Sequence, residues 1–489
     1  MTPATIAEPT PTPATRPAGS GRATDRAPAP PVNARAAARR RLLLEGPIVS
    51  TLLRLAAPNV VVNVVVIAVT ASVDAHFVGR LGSTALAGLS LVFPLMMLMQ
   101  QMANGSMGSA IASAVARAIG AGRREDASAL VVHALVLAAG MAALFSSVLV
   151  LGGPAVYALM GGRGPTLDAA VAYSNVIFSG ALVYWVLGAL TSVLRGAGQP
   201  TMLAFLYLGA EAVHVMLVPL LVFGLGPFPA LGIAGAGIAT VLSLALSVIV
   251  LASYLVTGRA GVTLSLRSLR LEGRLFVEIL RVGIPASLQP ILNNLTLAIL
   301  TGFVGSLGPT VLAGFGAAVR LEYLQVPLTF GFGAGLLALV GTNIGAGQWS
   351  RALRITWIGA SLAASVTGAI GLLAVMQPGA WTALFSATPE VHHEAASYLC
   401  IVGLAYPFLG LGYALSSAFQ AAGRPLWPLV ANLSRTAVVV GGGAVVIHAT
   451  DAGLAGLAVV AAAGLLVYGA TVAIAFRSGA WRRQPDVRS

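Results

Sequence analysis

The chain has 489 residues, of which 57% are hydrophobic and 9% are charged, and its formal net charge is +13. A soluble domain carries roughly 25% charged residues, so the composition excludes an ordinary soluble fold and indicates many membrane spans. All 28 basic residues are arginine, which excludes a Walker A lysine and a Schiff-base lysine. The single cysteine, Cys400, excludes a disulfide within the chain and a cysteine-based metal site.

The first 46 residues are rich in proline, alanine, threonine and arginine. They lack the apolar segment of a cleavable signal peptide. This composition predicts a disordered, basic cytoplasmic tail over 1–46. Its run RAAARRR at 35–41 suits contact with anionic lipid headgroups or, more simply, the role of a topology anchor.

Apolar stretches long enough for a membrane helix, about 20 residues, recur along the rest of the chain. We predict an all-α membrane protein with twelve transmembrane helices. The predicted spans are 53–79, 84–116, 127–152, 170–194, 201–224, 232–257, 275–305, 310–341, 353–377, 395–420, 426–449 and 453–476. The first six spans make an N-lobe over 47–258 and the last six a C-lobe over 274–478. A cytoplasmic loop over 259–273 joins the lobes, and 479–489 is a second cytoplasmic tail.

Most of the arginines fall on one side of the membrane when the predicted spans are threaded through it. If the amino terminus lies inside the cell, 24 of the 28 arginines fall in cytoplasmic tails, loops or helix ends. The four exceptions are Arg80 and Arg163 outside and Arg320 and Arg435 within spans. This asymmetry follows the positive-inside rule and predicts both termini in the cytoplasm of a bacterial cell, with the protein in its inner membrane.

The two halves of the chain repeat one another. VGRLGSTALAG at 78–88 corresponds to VGSLGPTVLAG at 304–314, and IGAG at 119–122 corresponds to IGAG at 344–347. An even number of spans in each copy predicts parallel repeats related by an axis along the membrane normal. Substrate sites of such transporters lie between the repeats, so the duplication favours alternating-access transport over a channel or a membrane enzyme.

Short motifs lie in a fixed order along nearly all of the chain beyond the tail. They are Pro58, VDAHFVGRLG at 73–82, GAG at 120–122, LRGAGQP at 194–200, PLLVFG at 219–224, GIAGAGIAT at 232–240, RLE at 320–322 and VGTNIGAG at 340–347. In this order and spacing they resemble the multidrug and toxic compound extrusion (MATE) family. The resemblance implies a V-shaped bundle of two pseudo-symmetric six-helix lobes that exports cationic or amphiphilic compounds in exchange for protons or sodium ions.

Asp74 occupies the position that matches the family's membrane-embedded carboxylate in the first span. An aspartate at membrane depth is costly and usually functional, and removal from water favours the protonated form of a carboxyl group. The resemblance therefore implies that Asp74 binds the coupling ion. The alternative is that Asp74, near the end of its span, caps the helix in the membrane interface.

The chain departs from the family pattern at two cation positions. Sodium-coupled members carry a glutamate in the seventh span where this chain has Asn293, so coupling to protons is expected rather than to sodium. Proton-coupled bacterial members carry an aspartate in the fifth span where this chain has Val218. We predict that Glu211 and His214 replace that aspartate, because they share a helix face and an imidazole titrates near physiological pH. A buried pair that only fastens the fifth span to a neighbour is the alternative.

The second span carries four residues at helical spacing, Phe93, Met97, Gln100 and Asn104. Flexible thioethers with a few amides suit a surface that accepts ligands of many shapes. These four residues and Asn293 are the predicted substrate cavity. Ordinary packing explains the methionines equally well.

Spans eight and eleven carry three further charges, Arg320, Glu322 and Arg435. Arg320 and Glu322 are two residues apart on one helix and cannot pair with each other. We predict an interhelical ion pair between Glu322 and Arg435 that acts as a structural lock.

The leading hypothesis is a monomeric, proton-driven antiporter for organic cations or other amphiphiles, with lipid as its surroundings and without a cofactor, metal or nucleic-acid partner. A flippase for polyprenyl-linked sugars is the alternative within the superfamily. It favours an arginine-rich central cavity, for which Arg320 and Arg435 are the candidates. A membrane-embedded prenyltransferase is a third hypothesis, but it needs paired aspartates such as DDxxD, which the sequence lacks.

Overall fold

The computed structural model describes residues 34–258, 260–264, 271–385 and 388–482. The regular elements within these ranges are helices. They are α1 Ala34–Glu45, α2 Ile48–Gly79, α3 Ser83–Gln100, a π-helical turn Gln101–Ser106, α4 Met107–Gly120, α5 Arg124–Leu151, α6 Gly153–Leu159, α7 Gly164–Ser179, α8 Ala181–Gly196, α9 Pro200–Phe223, α10 Gly232–Val256, α11 Gly273–Gly305, α12 Pro309–Gly345, α13 Trp349–Met376, α14 Pro378–Thr382, α15 Pro389–Val402, a 3₁₀ turn Gly403–Ala405, α16 Tyr406–Ala421, α17 Leu426–Ala449 and α18 Gly453–Arg477.

Eleven helical segments among the described residues are long and apolar enough to cross a membrane. A twelfth candidate consists of α7 and α8, which meet at an angle of 46°. Gly180 separates these two helices, and a Cβ at this position would collide with the side chain of Val241 in α10. The prediction of an all-α membrane protein with up to twelve spans is confirmed, and its fourth span is bent.

The connection between the first two spans has the same backbone geometry in both repeats. Gly82 has a φ of 111° where α2 passes into α3, and Gly308 has a φ of 122° where α11 passes into α12. L-residues with a side chain rarely adopt this backbone conformation, whereas glycine adopts it freely. The repeated sequence VG-x-LG therefore sets the same reversal of the chain in both halves.

Packed leucines join the two repeats along α2 and α12. Leu52 and Leu55 of α2 lie in one buried cluster with Leu336 and Leu339 of α12. In a membrane, such contact is stabilised by close van der Waals packing rather than by transfer of apolar groups out of water. The shape of this contact therefore governs how the repeats associate.

The closest backbone approach between the repeats lies at what we call the closed end, the last turns of α4 and α12 at residues 116–120 and 341–345. A Cβ at Gly120 would meet the backbone of Thr342, and a Cβ at Gly345 would meet the backbone of Arg117. Gly120 and Gly345 hold the same place in the two IGAG motifs. The contact is thus reciprocal, like that of a two-fold interface.

Arg117 fastens the closed end further. Its Nη2 lies 3.1 Å from Glu278 Oε1 in α11, and its Nη1 donates to the Ala421 carbonyl at 2.9 Å. Both side chains of the ion pair are largely removed from solvent. Charge-assisted hydrogen bonds of this kind are about twice as strong as neutral ones, so Arg117 ties α4 to two helices of the second repeat.

Helix α1 lies across the closed end. Arg40 donates to the carbonyls of Ile119 and Gly120 at 3.1 and 2.8 Å, at the carboxyl end of α4, where helical carbonyls lack intrahelical partners. From the second repeat, Asn343 donates to the Leu43 carbonyl at 3.0 Å. This helix differs from the disordered tail expected over 1–46, because Leu43 is buried and tertiary contacts order the segment. Residues 1–33 lie outside the described part of the chain.

The carboxyl-terminal segment is packed further than expected. Trp481 is buried, and its ring stacks on that of Phe476 with centroids 4.8 Å apart and planes 7° from parallel. The tail expected from residue 479 therefore begins with packed residues, and 483–489 lie outside the described ranges.

Gly345→Ala is expected to lower stability by about 1–3 kcal/mol, because the added methyl group would overpack the contact with Arg117. Gly305→Ala is the matched control, since a Cβ there would meet nothing within 4 Å. The control substitution is expected to leave the free energy of unfolding unchanged or to raise it by up to about 1 kcal/mol. Thermal unfolding midpoints of the purified variants in one detergent measure the difference. Equal midpoints for the two variants would contradict the close approach.

Candidate functional site

Asp74 and His214 meet between α2 and α9. His214 Nε2 lies 3.1 Å from Asp74 Oδ1. The two residues are 6% and 3% exposed, so this contact is screened from solvent on all sides. With a proton on Nε2, the imidazole donates a hydrogen bond to the carboxylate. The structure thus brings together two of the three residues predicted to bind the coupling proton.

Glu211 lies beside this pair and contacts the same helix. Thr70 Oγ1, one turn before Asp74 on α2, donates to Glu211 Oε2 at 2.9 Å. Glu211 is 8% exposed, and its other oxygen, Oε1, is buried without a hydrogen-bond partner among the described residues. A charged oxygen left in that condition is costly. The arrangement therefore suits a carboxyl group that can take up a proton.

Two buried tyrosines lie near Asp74. Tyr173 and Tyr184 are buried and lie close enough to Asp74 to interact with it electrostatically. Each hydroxyl lies 3.9 Å from the sulfur of Met96. Sequence reasoning did not select Thr70 or these tyrosines. The helical spacing between Thr70 and Asp74 was the available signal for the first, whereas tyrosines in apolar spans are indistinguishable from packing residues.

The corresponding positions of the second repeat carry no charge. Thr70 and Glu211 correspond to Thr296 and Thr436, whose hydroxyls lie 2.8 Å apart. Asp74 and His214 correspond to Leu300 and Val439, both buried in one apolar cluster. The helix pair is therefore repeated, but apolar residues replace the acid and the imidazole in the second copy.

The predicted cavity residues of the second span do not share one continuous α-helical face. Phe93, Met97 and Gln100 lie on α3, but Asn104 lies in the π-helical turn Gln101–Ser106. A π-helix makes i→i+5 hydrogen bonds, so it rotates Asn104 away from the α-helical series. Phe93 is exposed and Met97 packs partly against the core. Gln100 lies beside the Tyr184 hydroxyl, and so at the edge of the Asp74 site.

Arg195 binds the π-helical turn from α8. It donates to the Asn104 carbonyl at 2.8 Å and to Ser192 Oγ at 2.7 Å. Its guanidinium also lies 5.2 Å from the ring centre of Phe330 in α12. Single π-turns are frequent at functional sites. This one connects the second span both to α8 and to the second repeat.

A second polar cluster lies in the second repeat. Asn293 donates to the Tyr413 hydroxyl at 3.3 Å. Glu322 accepts from the Tyr398 hydroxyl at 3.2 Å. Arg435 lies within electrostatic range of both Glu322 and Tyr413. The cluster places an amide, two phenols, a carboxyl group and a guanidinium close together.

The predicted direct ion pair between Glu322 and Arg435 is not formed. Among the described ion pairs, none joins these residues, although they lie within electrostatic range of each other. Arg435 Nε is buried without a hydrogen-bond partner in the described part of the chain. Arg320 lies elsewhere, exposed, with its guanidinium 4.8 Å from the ring centre of Phe385.

The duplicated bundle of spans and the buried carboxylate and imidazole within it indicate a membrane transporter. The sequence profile of the MatE family matches residues 59–220 and 285–446, one match in each repeat. The chain belongs to the MatE family of transporters and is not an enzyme. The resemblance found in the motifs is thereby confirmed at the level of the family.

Several bacterial relatives match over most of the chain. An FAD transporter from Shewanella oneidensis is 29% identical over 81% of this chain and 87% of its own length. The probable multidrug resistance protein YoeA from Bacillus subtilis is 28% identical over 73% of this chain and 78% of its own. The probable multidrug resistance protein NorM from Thermotoga maritima is 24% identical, covering 73% and 76%.

Solved structures share the fold. A MATE structure in the bent conformation superposes with a TM-score of 0.84 at 24% identity, over 91% of this chain and 98% of the other. An outward-facing multidrug resistance MATE family transporter gives a TM-score of 0.81 at 23% identity, over 90% and 98% of the two chains. The MATE fold predicted from the resemblance is confirmed.

Proposed function

We propose that the chain is a secondary antiporter that exports organic cations or other amphiphiles in exchange for protons. The contact between Asp74 and His214, 3.1 Å apart and shielded from solvent, carries this proposal. Ionisable groups inside membrane spans are rare and mark proton relays and ion pathways. The relatives YoeA and NorM, named as probable multidrug resistance proteins, support the substrate class.

The cluster of Asp74, His214 and Glu211 is our candidate for the proton site. Because His214 contacts Asp74 and lies one helical turn from Glu211, proton binding belongs to the cluster rather than to one residue. A proton and a cationic substrate compete for the same negative charge. Protonation would release the substrate and deprotonation would admit it, which couples the two fluxes in opposite directions.

The second repeat is our basis for proposing protons rather than sodium. Asn293 stands where the resemblance calls for a glutamate, and its amide is engaged by Tyr413. Sodium prefers several oxygen ligands, including carboxylates, whereas this cluster offers one carboxyl group beside a guanidinium. The charge balance therefore disfavours a sodium ion.

The arginines also support an orientation. Those at the closed end include Arg40, Arg117, Arg123 and Arg351, whereas the opposite ends of the spans carry few. We propose that the closed end faces the cytoplasm, with both termini on that side. In this orientation the repeats are held together on the cytoplasmic side.

A flavin nucleotide is a second candidate substrate. The relative from Shewanella oneidensis named as an FAD transporter is 29% identical over most of the chain. Arg435, whose Nε lacks a hydrogen-bond partner among the described residues, lies near the Tyr413 ring. A guanidinium suits a diphosphate and an aromatic side chain suits a flavin ring. The C-lobe cluster therefore offers chemistry for an anionic amphiphile.

Asp74→Asn is expected to lower proton-driven export at least about tenfold while the protein still inserts, because it removes the central carboxylate. Glu211→Gln should lower coupling in the same way. Substrate flux into proteoliposomes with an imposed pH gradient measures both. Asp168→Asn, an exposed aspartate on α7, is the matched control. Wild-type flux in Asp74→Asn, or flux driven by a sodium gradient at equal pH, would refute proton coupling at this site.

His214→Asn is expected to shift the pH dependence of export, because the imidazole is part of the coupled cluster. Export rates measured from about pH 5 to 9 at equal protein levels test this, because that range includes the ordinary pKa of a histidine side chain. His448→Asn, an exposed histidine at the end of α17, should leave the profile unchanged. A wild-type profile in His214→Asn would assign His214 to packing alone.

Arg435→Gln separates the two substrate classes. If the chain exports flavin nucleotides, the variant should lose about tenfold in their transport, the value of one charge-assisted hydrogen bond. Export of organic cations should persist. Arg320→Gln, which alters an exposed guanidinium, is the control. Equal losses for both substrates would make Arg435 a structural residue.

A further inference from the structure

A cavity of about 260 Å³ lies beneath α1 at the closed end. The charged residues that line it are Arg39 and Arg40 of α1 and Arg124 at the start of α5. No acidic side chain among the described residues lines it. Small residues of the adjoining loops, among them Gly122 and Gly261, form the remainder. The volume equals about nine times the share of one liquid water molecule, enough for a phosphate group and a few waters.

Two of the three arginines are unpaired. Arg40 is occupied by the carbonyls of Ile119 and Gly120. Among the described residues, the side chains of Arg39 and Arg124 make no hydrogen bond or ion pair. Burial lowers the pKa of the Arg39 guanidinium below its ordinary value, because the group loses water without gaining a carboxylate. At the same end, Arg117 pairs with Glu278 and Arg123 pairs with Asp126.

We propose that this cavity is a binding site for an anionic phosphate group, supplied by a lipid headgroup or by a soluble phosphate. Guanidinium groups bind phosphate oxygens through paired, charge-assisted hydrogen bonds. Basic pockets at the cytoplasmic ends of membrane helices are suited to anionic headgroups. Bound phosphate would supply the negative charge that Arg39 and Arg124 lack, and it would relieve the repulsion among the three guanidinium groups.

The segment that contains α1 contacts both repeats, so a ligand bound beneath it affects how the repeats associate. Arg40 joins α1 to the end of α4 in the first repeat. Asn343 and Arg351 of the second repeat donate to the carbonyls of Leu43 and Gly46. A ligand that requires α1 in place stabilises the state in which α1 bridges both repeats. Phosphate binding is therefore expected to stabilise the conformation in which the two repeats are in contact at the closed end.

The experiment compares the full-length wild type with Arg39→Gln, Arg124→Gln and Arg41→Gln in detergent. Arg41 is the matched control, because its side chain is 80% exposed and pairs with Glu45 away from the cavity. Each protein is unfolded thermally with added phosphatidylglycerol, with phosphatidylcholine, or with inorganic phosphate against chloride at equal ionic strength. Wild type and Arg41→Gln should gain about 2 °C or more with an anionic phosphate ligand. Arg39→Gln and Arg124→Gln should not gain.

The ligands separate the two sources. A gain with phosphatidylglycerol but not with inorganic phosphate assigns the site to a lipid headgroup, and a gain with both assigns it to the phosphate group itself. Phosphatidylcholine should give less, because its choline cation opposes the arginines. Equal gains in wild type and Arg124→Gln, or no gain in wild type, would overturn the proposal. Arg124 is exposed at a helix start, so this variant keeps the test valid even where Arg39→Gln folds poorly.

Discussion

The contact between Asp74 and His214 is the constraint on which the rest of the site depends. Two ionisable side chains, 3.1 Å apart and almost wholly buried, hold α2 against α9. Breaking a buried pair by removing one partner leaves an uncompensated polar group and is strongly destabilising. The surrounding residues fit this requirement: Thr70 donates a hydrogen bond to the neighbouring Glu211, and two buried tyrosines lie near the carboxylate. In the proposed mechanism, these neighbouring groups therefore exchange the coupling proton as one cluster.

The two repeats share a helical scaffold but carry different charged side chains. Gly120 and Gly345 make the same close approach in opposite directions, so both repeats are needed to form the closed end. The helix pair that holds Asp74 recurs in the second repeat with Leu300 and Val439 in place of the acid and the imidazole. The second repeat instead places Arg435 near its own polar cluster. One half of the molecule thus carries the site that we assign to protons, and the other carries a cation suited to anionic groups.

The sequence predicted the features that depend on composition and spacing. Long apolar runs identified the spans, repeated motifs identified the duplication, and Glu211 and His214 shared a face because they are three residues apart. The tertiary partners could not be predicted in this way. The π-helical turn depends on Arg195, which lies 91 residues from the Asn104 carbonyl it binds. Helix α1 depends on contacts with both repeats, so its arginine-rich sequence alone indicated a disordered tail. The expected Glu322–Arg435 pair gave way to a tyrosine on α15 that no spacing rule connects to either residue.

Infrared difference spectroscopy of the purified protein tests most directly whether this cluster holds the coupling proton. Addition of a cationic substrate to the protonated protein should remove the absorption band of a neutral carboxyl group as the proton is displaced. We expect this loss in the wild type and its absence in the double variant Asp74→Asn/Glu211→Gln, which lacks both carboxyl groups of the cluster. The same loss in both proteins, or an unchanged carboxyl band in the wild type when substrate binds, would contradict it.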